Sequence, residues 1–116
     1  MKTSRQPEKP YFSHATEGVV DVPKLPDPAK AEVRQYENHR AGDEVRFTVT
    51  TSTGNTWTDS VALTADQRFP LGFAIPKSTF EKGLTAGATA KMQYTVINYN
   101  TGNPTRSEIL ELSLVL

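Results

Sequence analysis

The stretch Ser107-Glu108-Ile109-Leu110-Glu111-Leu112-Ser113-Leu114-Val115-Leu116 decides the fold class. Successive side chains of a strand point to opposite faces, so hydropathy that alternates with a period of two marks a strand with one buried and one wet face. Leu110, Leu112 and Leu114 share a parity and are expected in a core, while Glu111 and Ser113 stay in solvent. The sequence stops on this strand, as a β-sandwich module does where another can follow.

The same grammar runs outward from it. Glu44 to Thr51 places Val45, Phe47 and Val49 inward and Arg46, Thr48 and Thr50 outward. Arg40-Ala41-Gly42-Asp43 precedes it as a turn, with Gly42 free to take a positive φ. Thr53-Gly54-Asn55 predicts a hairpin into a return strand from Trp57 to Leu63. Trp57, Val61 and Leu63 share a parity there, and Asp59 is the odd member. Ala31 to Tyr36 alternates as well. Leu71 to Ile75 is a short strand stopped by Pro76, and Lys77 to Lys82 predicts a helical turn before Gly83. Phe80 and Leu84, four apart, would cover one end of the core. Thr89 to Asn98 turns Ala90, Met92, Tyr94 and Val96 inward. About seven short strands with one helical turn predict an all-β, antiparallel sandwich, and the absence of internal repetition makes it one module.

Residues 1 to 10 read as a flexible polar arm and residues 11 to 116 as the single domain. Five of the eight prolines lie within the first 28 residues. Proline cannot donate to a ladder, so residues 11 to 30 suit a broken first strand along the sandwich edge, with a linker-like segment as the alternative. Thirteen basic and thirteen acidic residues cancel and interleave, which argues against nucleic acid or anionic lipid as a partner. There is no cysteine, hence no disulfide framework or thiolate metal site. No apolar run reaches the ~20 residues of a membrane-spanning helix, so no membrane insertion is expected. Met1 to Pro7 is basic but lacks the apolar stretch of a secretory signal.

The succession Ala41-Gly42-Asp43-Glu44-Val45-Arg46-Phe47, Phe73-Ala74-Ile75-Pro76 with Phe80 and Leu84, Gly87 before Met92-Gln93-Tyr94-Thr95-Val96, and Ser107 with the closing strand resembles a bacterial immunoglobulin-like repeat. The resemblance spans residues 18 to 116, and its marks are chiefly folding signals. Tyr36 stands where such repeats often carry Trp, and the chain has its own Met1 and polar arm. The resemblance implies an immunoglobulin-like sandwich in a large surface or secreted, adhesin-type protein of Gram-negative bacteria. The location it implies is extracellular or at the cell surface, or cytoplasmic if the chain stands free. The partners it implies are neighbouring immunoglobulin-like modules or a protein or glycan ligand. It carries over no catalytic residue.

The reactive residues point the same way. His14 and His39 lie 25 positions apart with no third ligand at a useful spacing, so neither metal nor other cofactor is expected. No nucleophile elbow, phosphate loop or calcium loop occurs, and no carboxylate pair is placed for glycoside chemistry, so the chain is not read as an enzyme. Asp43, Glu44, Asp59 and Asp66 read as solvated turn or strand-end residues. None of Asn38, Asn55, Asn98, Asn100 or Asn103 begins an N-glycosylation acceptor sequence. Trp57 suits a core lid better than a contact residue. Tyr99, with Asn98, Asn100 and Asn103, mixes a rigid aromatic and adaptable polar groups as binding loops do, or forms a plain turn. The expectation is a non-catalytic structural, spacer or adhesion module, monomeric in isolation. The alternative is a free-standing binding protein using residues 51 to 56 and 98 to 105.

Overall fold

This computed structural model describes residues 7–36 and 39–116. The strands are β1 (Tyr11–Phe12), β2 (Ala15–Thr16), β3 (Val19–Asp21), β4 (Ala29–Val33), β5 (Glu44–Thr51), β6 (Thr56–Ala62) and β7 (Leu71–Ile75). After the helical turn α1 (Ser78–Glu81) come β8 (Thr89–Ile97), β9 (Pro104–Arg106) and β10 (Leu110–Val115). One sheet runs β1-β4-β7; the other runs β2-β3-β10-β8-β5-β6, with β9 paired to β8. Two sheets that share one apolar core make a β-sandwich-like all-β fold, and the first segment is divided between them, β1 in one and β2 and β3 in the other.

The parity read from the sequence sets the registers. Val45, Phe47 and Val49 stand opposite Val96, Tyr94 and Met92, and all six are buried. Leu112 and Leu114 join them from β10, whereas Leu110 is only half-buried at its start. Leu71, Phe73 and Ile75 close the core from the smaller sheet. The Phe47 ring stacks on Phe73 with centroids 4.9 Å apart, which ties one sheet to the other. Burying such apolar surface stabilises by roughly 25 cal/mol per Å2, and these side chains form one continuous cluster. Trp57 is half-buried and meets Phe47 edge-on at 6.4 Å, a lid on the core.

Four expectations change. The segment from Tyr11 to Asp21 runs as three short strands, β1, β2 and β3, and with them the sandwich is not wholly antiparallel. A tight turn at Glu17 and Gly18, both with positive φ, sends Val19–Asp21 alongside β10 in the parallel sense. A second helical turn, a 3-10 turn at Val22–Lys24, joins α1. Of the arm expected over residues 1 to 10, residues 1 to 6 lie outside the described residues, and the remainder is docked. Pro10 is buried, and the Pro7 carbonyl accepts from Glu108 N at 2.9 Å. Asp43 is the fourth, and it belongs to the loop end. Asn38 also lies outside the described residues.

Candidate functional site

Strand direction decides which loops can act together. Glu44, at the start of β5, stands opposite both Ala62, at the end of β6, and Ile97, at the end of β8. Val33, at the end of β4, stands opposite Leu71, at the start of β7. The connections 34–43, 63–70 and 98–103 therefore gather at one end of the sandwich. Residues 51 to 56 follow the far end of β5, about 24 Å away at ~3.4 Å per residue. Residues 51 to 56 and loop 98–103 therefore lie at opposite ends of the sandwich.

Asp43 organises the loop end. Its neighbour Gly42 has φ 93°, a left-handed conformation that glycine adopts without strain. The turn carries the carboxylate inward, where it is 1 % exposed instead of solvated as the sequence suggested. Asp43 Oδ2 accepts from Tyr36 Oη at 3.2 Å and from Arg40 N at 3.0 Å. Asp43 Oδ1 accepts from Tyr99 N at 3.0 Å. One carboxylate thereby fastens loop 34–43 to loop 98–103. A buried charge is tolerated because its oxygens are bonded. The same surroundings push the Tyr36 phenol well above its ordinary pKa, first through burial and then through the Asp43 charge and hydrogen bond.

Tyr99 rides on this frame. A Cβ at Gly42 would lie 2.6 Å from one Tyr99 ring atom and 2.7 Å from another, so the ring rests against the bare glycine. The side chain is nevertheless 69 % exposed. Asn98 is bound into the turn: its Oδ1 accepts from Asn100 N at 2.9 Å and Thr101 N at 3.1 Å. Its backbone N–H donates to the Asn103 carbonyl, and Gly102 N donates back to the Asn98 carbonyl. Asn100 and Asn103 are exposed. The four candidate residues share one tight loop. Tyr99, Asn100 and Asn103 face solvent, while Asn98 is occupied as a structural residue.

An aromatic group beneath the loops was not legible in the sequence. His39 and Phe69 have ring centroids 5.0 Å apart, and Tyr36 lies edge-on to both, at 5.9 Å and 6.0 Å. His39 Nδ1 stands 3.1 Å from the Tyr36 carbonyl, to which a proton on that nitrogen would be donated. Phe69 comes from loop 63–70, which carries no strand pattern, so only tertiary contact reveals its role. The group gives the loop end a firm floor.

Other polar residues serve the fold. At the opposite end Asn55 Nδ2 donates to the carbonyls of Thr79 (2.9 Å) and Lys82 (2.7 Å), satisfying the end of α1. Buried Ser107 accepts from Tyr94 N at 3.0 Å and donates to the Glu108 carbonyl at 2.8 Å. His14 Nε2 accepts from Lys30 N at 3.3 Å, so that ring braces β4. An open hollow of about 350 Å3 is lined by Glu8, Lys9, Pro10, Tyr11, Arg34 and Glu108, with the Arg34 guanidinium 4.7 Å over the Tyr11 ring. Among the described residues no three His, Cys, Asp or Glu side chains are grouped to hold a metal ion, and no helix is long and apolar enough to cross a membrane. Comparison of the chain with protein-family models, curated proteins and solved structures gave no match in any of the three.

Proposed function

We propose that the chain is a non-catalytic β-sandwich module that works in series with neighbouring modules, as a spacer or adhesion element of a bacterial surface or secreted protein. The observation that carries this reading is the path of the backbone. The described chain comes in beside Glu108, on the half that bears loop 98–103, through the bond to the Pro7 carbonyl. It leaves through β10 at the other end, where Val115 stands opposite Asp21. Modules with this path follow one another in line. Tension on the outgoing chain then acts along β10, which is held by β3 on one side and β8 on the other, so its ladder bonds bear the load together.

Small-angle scattering from two copies joined head to tail tests the reading. A maximum dimension close to twice that of one copy supports it; a compact particle in which the copies lie side by side refutes it. The exposed Tyr99 ring on its Asp43-braced seat favours a second reading, a binding protein that recognises a protein or glycan partner through loop 98–103. Under that reading Tyr99→Ala weakens adhesion or partner binding at unchanged thermal midpoint.

A further inference from the structure

We propose that Asp59 keeps the edge strand β6 from pairing with a second copy of this chain. The strand Thr56–Ala62 is the last in the larger sheet, so among the described residues no strand lies along one side of its backbone. Unpaired edges template pairing with another chain, and proteins blunt them with prolines, bulges or inward-pointing charges. The flank formed by β1, β2 and β3 is broken by turns and bordered by Pro10 and Pro23. On the other flank β7 is bordered by Pro70 and Pro76, whereas β6 reads Thr-Trp-Thr-Asp-Ser-Val-Ala, with no proline in or beside it and one charge, Asp59. Such a run of strand-forming residues of low charge is the kind that self-pairs.

The position of Asp59 is as telling as its charge. It stands opposite Phe47, flanked by Trp57 opposite Val49 and Val61 opposite Val45, so it occupies the inward parity of the strand. An apolar residue there would complete the row, yet Asp59 is exposed at the rim. It is also the middle residue of the seven. Two copies of β6 meeting antiparallel about a two-fold axis would pair over their full length only if residue 59 faced residue 59. Trp57 would then face Val61 of the other copy twice, a favourable aromatic and β-branched pairing. The two carboxylates would lie about 5 Å apart, directly opposite, where like charges destabilise the pair. A two-residue slip separates them but shortens the ladder from seven residues to five; a one-residue slip turns Trp57 and Val61 to the wrong face. The longest and best-packed self-pairing is the one that Asp59 forbids.

Sedimentation velocity over a concentration series, on the whole chain and on Asp59→Asn and Asp59→Lys, tests the proposal. Asparagine keeps the Oδ1 acceptor that Ser60 N uses at 2.9 Å, so the local backbone is preserved. The expected result is a monomer for the parent and for Asp59→Lys, and a dimer for Asp59→Asn with a dissociation constant lower by roughly tenfold or more. Amide exchange should slow within residues 56 to 62 as that dimer forms, and circular dichroism should show both variants folded. The proposal is overturned by an Asp59→Asn variant that sediments like the parent. Association that leaves the β6 amides unprotected, or Asp59→Lys associating as strongly as Asp59→Asn, overturns it equally.

Discussion

Replacing Asp43 by Ala tests whether one buried carboxylate holds the loop end together. Asp43 is 1 % exposed and receives Tyr36 Oη, Arg40 N and Tyr99 N. With the carboxylate gone, the hydroxyl of half-buried Tyr36 can turn to water, but two backbone N–H groups lose their acceptor. Each such loss costs roughly 1–3 kcal/mol, and since exposed Arg40 can turn its amide to water and stays at the low end, the sum is about 3 kcal/mol. Asp43→Asn keeps an oxygen for one of the amides but turns an NH2 toward the other donors, and should cost about half as much. Urea unfolding followed by Trp57 fluorescence reads the loss. At a slope of ~1.5 kcal/mol/M the midpoint of the Ala variant falls by about 2 M. Faster amide exchange at Tyr99 should accompany it. A loss under about 1 kcal/mol, with Tyr99 N still protected, would refute the role given to Asp43.

Phe47→Ala removes a fully buried ring stacked on Phe73 and should cost roughly 3–5 kcal/mol in the same assay; a loss near zero would contradict the register. Gly42→Ala forces a side chain into φ 93° against the Tyr99 ring and should cost about 1–3 kcal/mol. In a Tyr99→Ala background that cost shrinks but persists, because the backbone strain remains; a double-mutant cycle measures both parts. Tyr94 is pushed up to about 12, first by burial and then by the Glu8 charge. The unfolded phenol ionises near pH 10 while the folded one keeps its proton, so this contribution is full below pH 10 and is lost as pH rises toward 12. Urea midpoints at pH 9, 10 and 11 should fall less steeply for Tyr94→Phe than for the parent.

The long strands were legible because burial on one face imposes a period of two. β5, β8 and β10 each keep it over six residues or more, and the turns at Gly42 and Gly54 carry their own conformational mark. The first strand was harder to place. β1, β2 and β3 are two or three residues long, too short for periodicity, and the parallel pairing of β3 with β10 depends on a partner more than 90 residues away. Asp43 reads alike in sequence whether solvated or buried; Tyr99, which takes up its inner oxygen, lies 56 residues on. The separation of loops 51–56 and 98–103 was available in principle. β5 and β8 are antiparallel neighbours, so the loops that follow them must leave opposite ends. The floor of Tyr36, His39 and Phe69 was not, since His39 and Phe69 come from segments with no strand pattern and meet Tyr36 only through the fold.

The central claim, a sandwich that bears tension in line through its last strand, is tested most directly by stretching copies joined in series under a force probe. The account predicts that each copy extends in a single abrupt step. Ser113→Pro, which removes the bond from Ser113 N to the Gly18 carbonyl at 2.8 Å, should lower the rupture force, and Tyr99→Ala should leave it unchanged. Gradual extension without discrete steps, or a rupture force indifferent to Ser113→Pro, would contradict it.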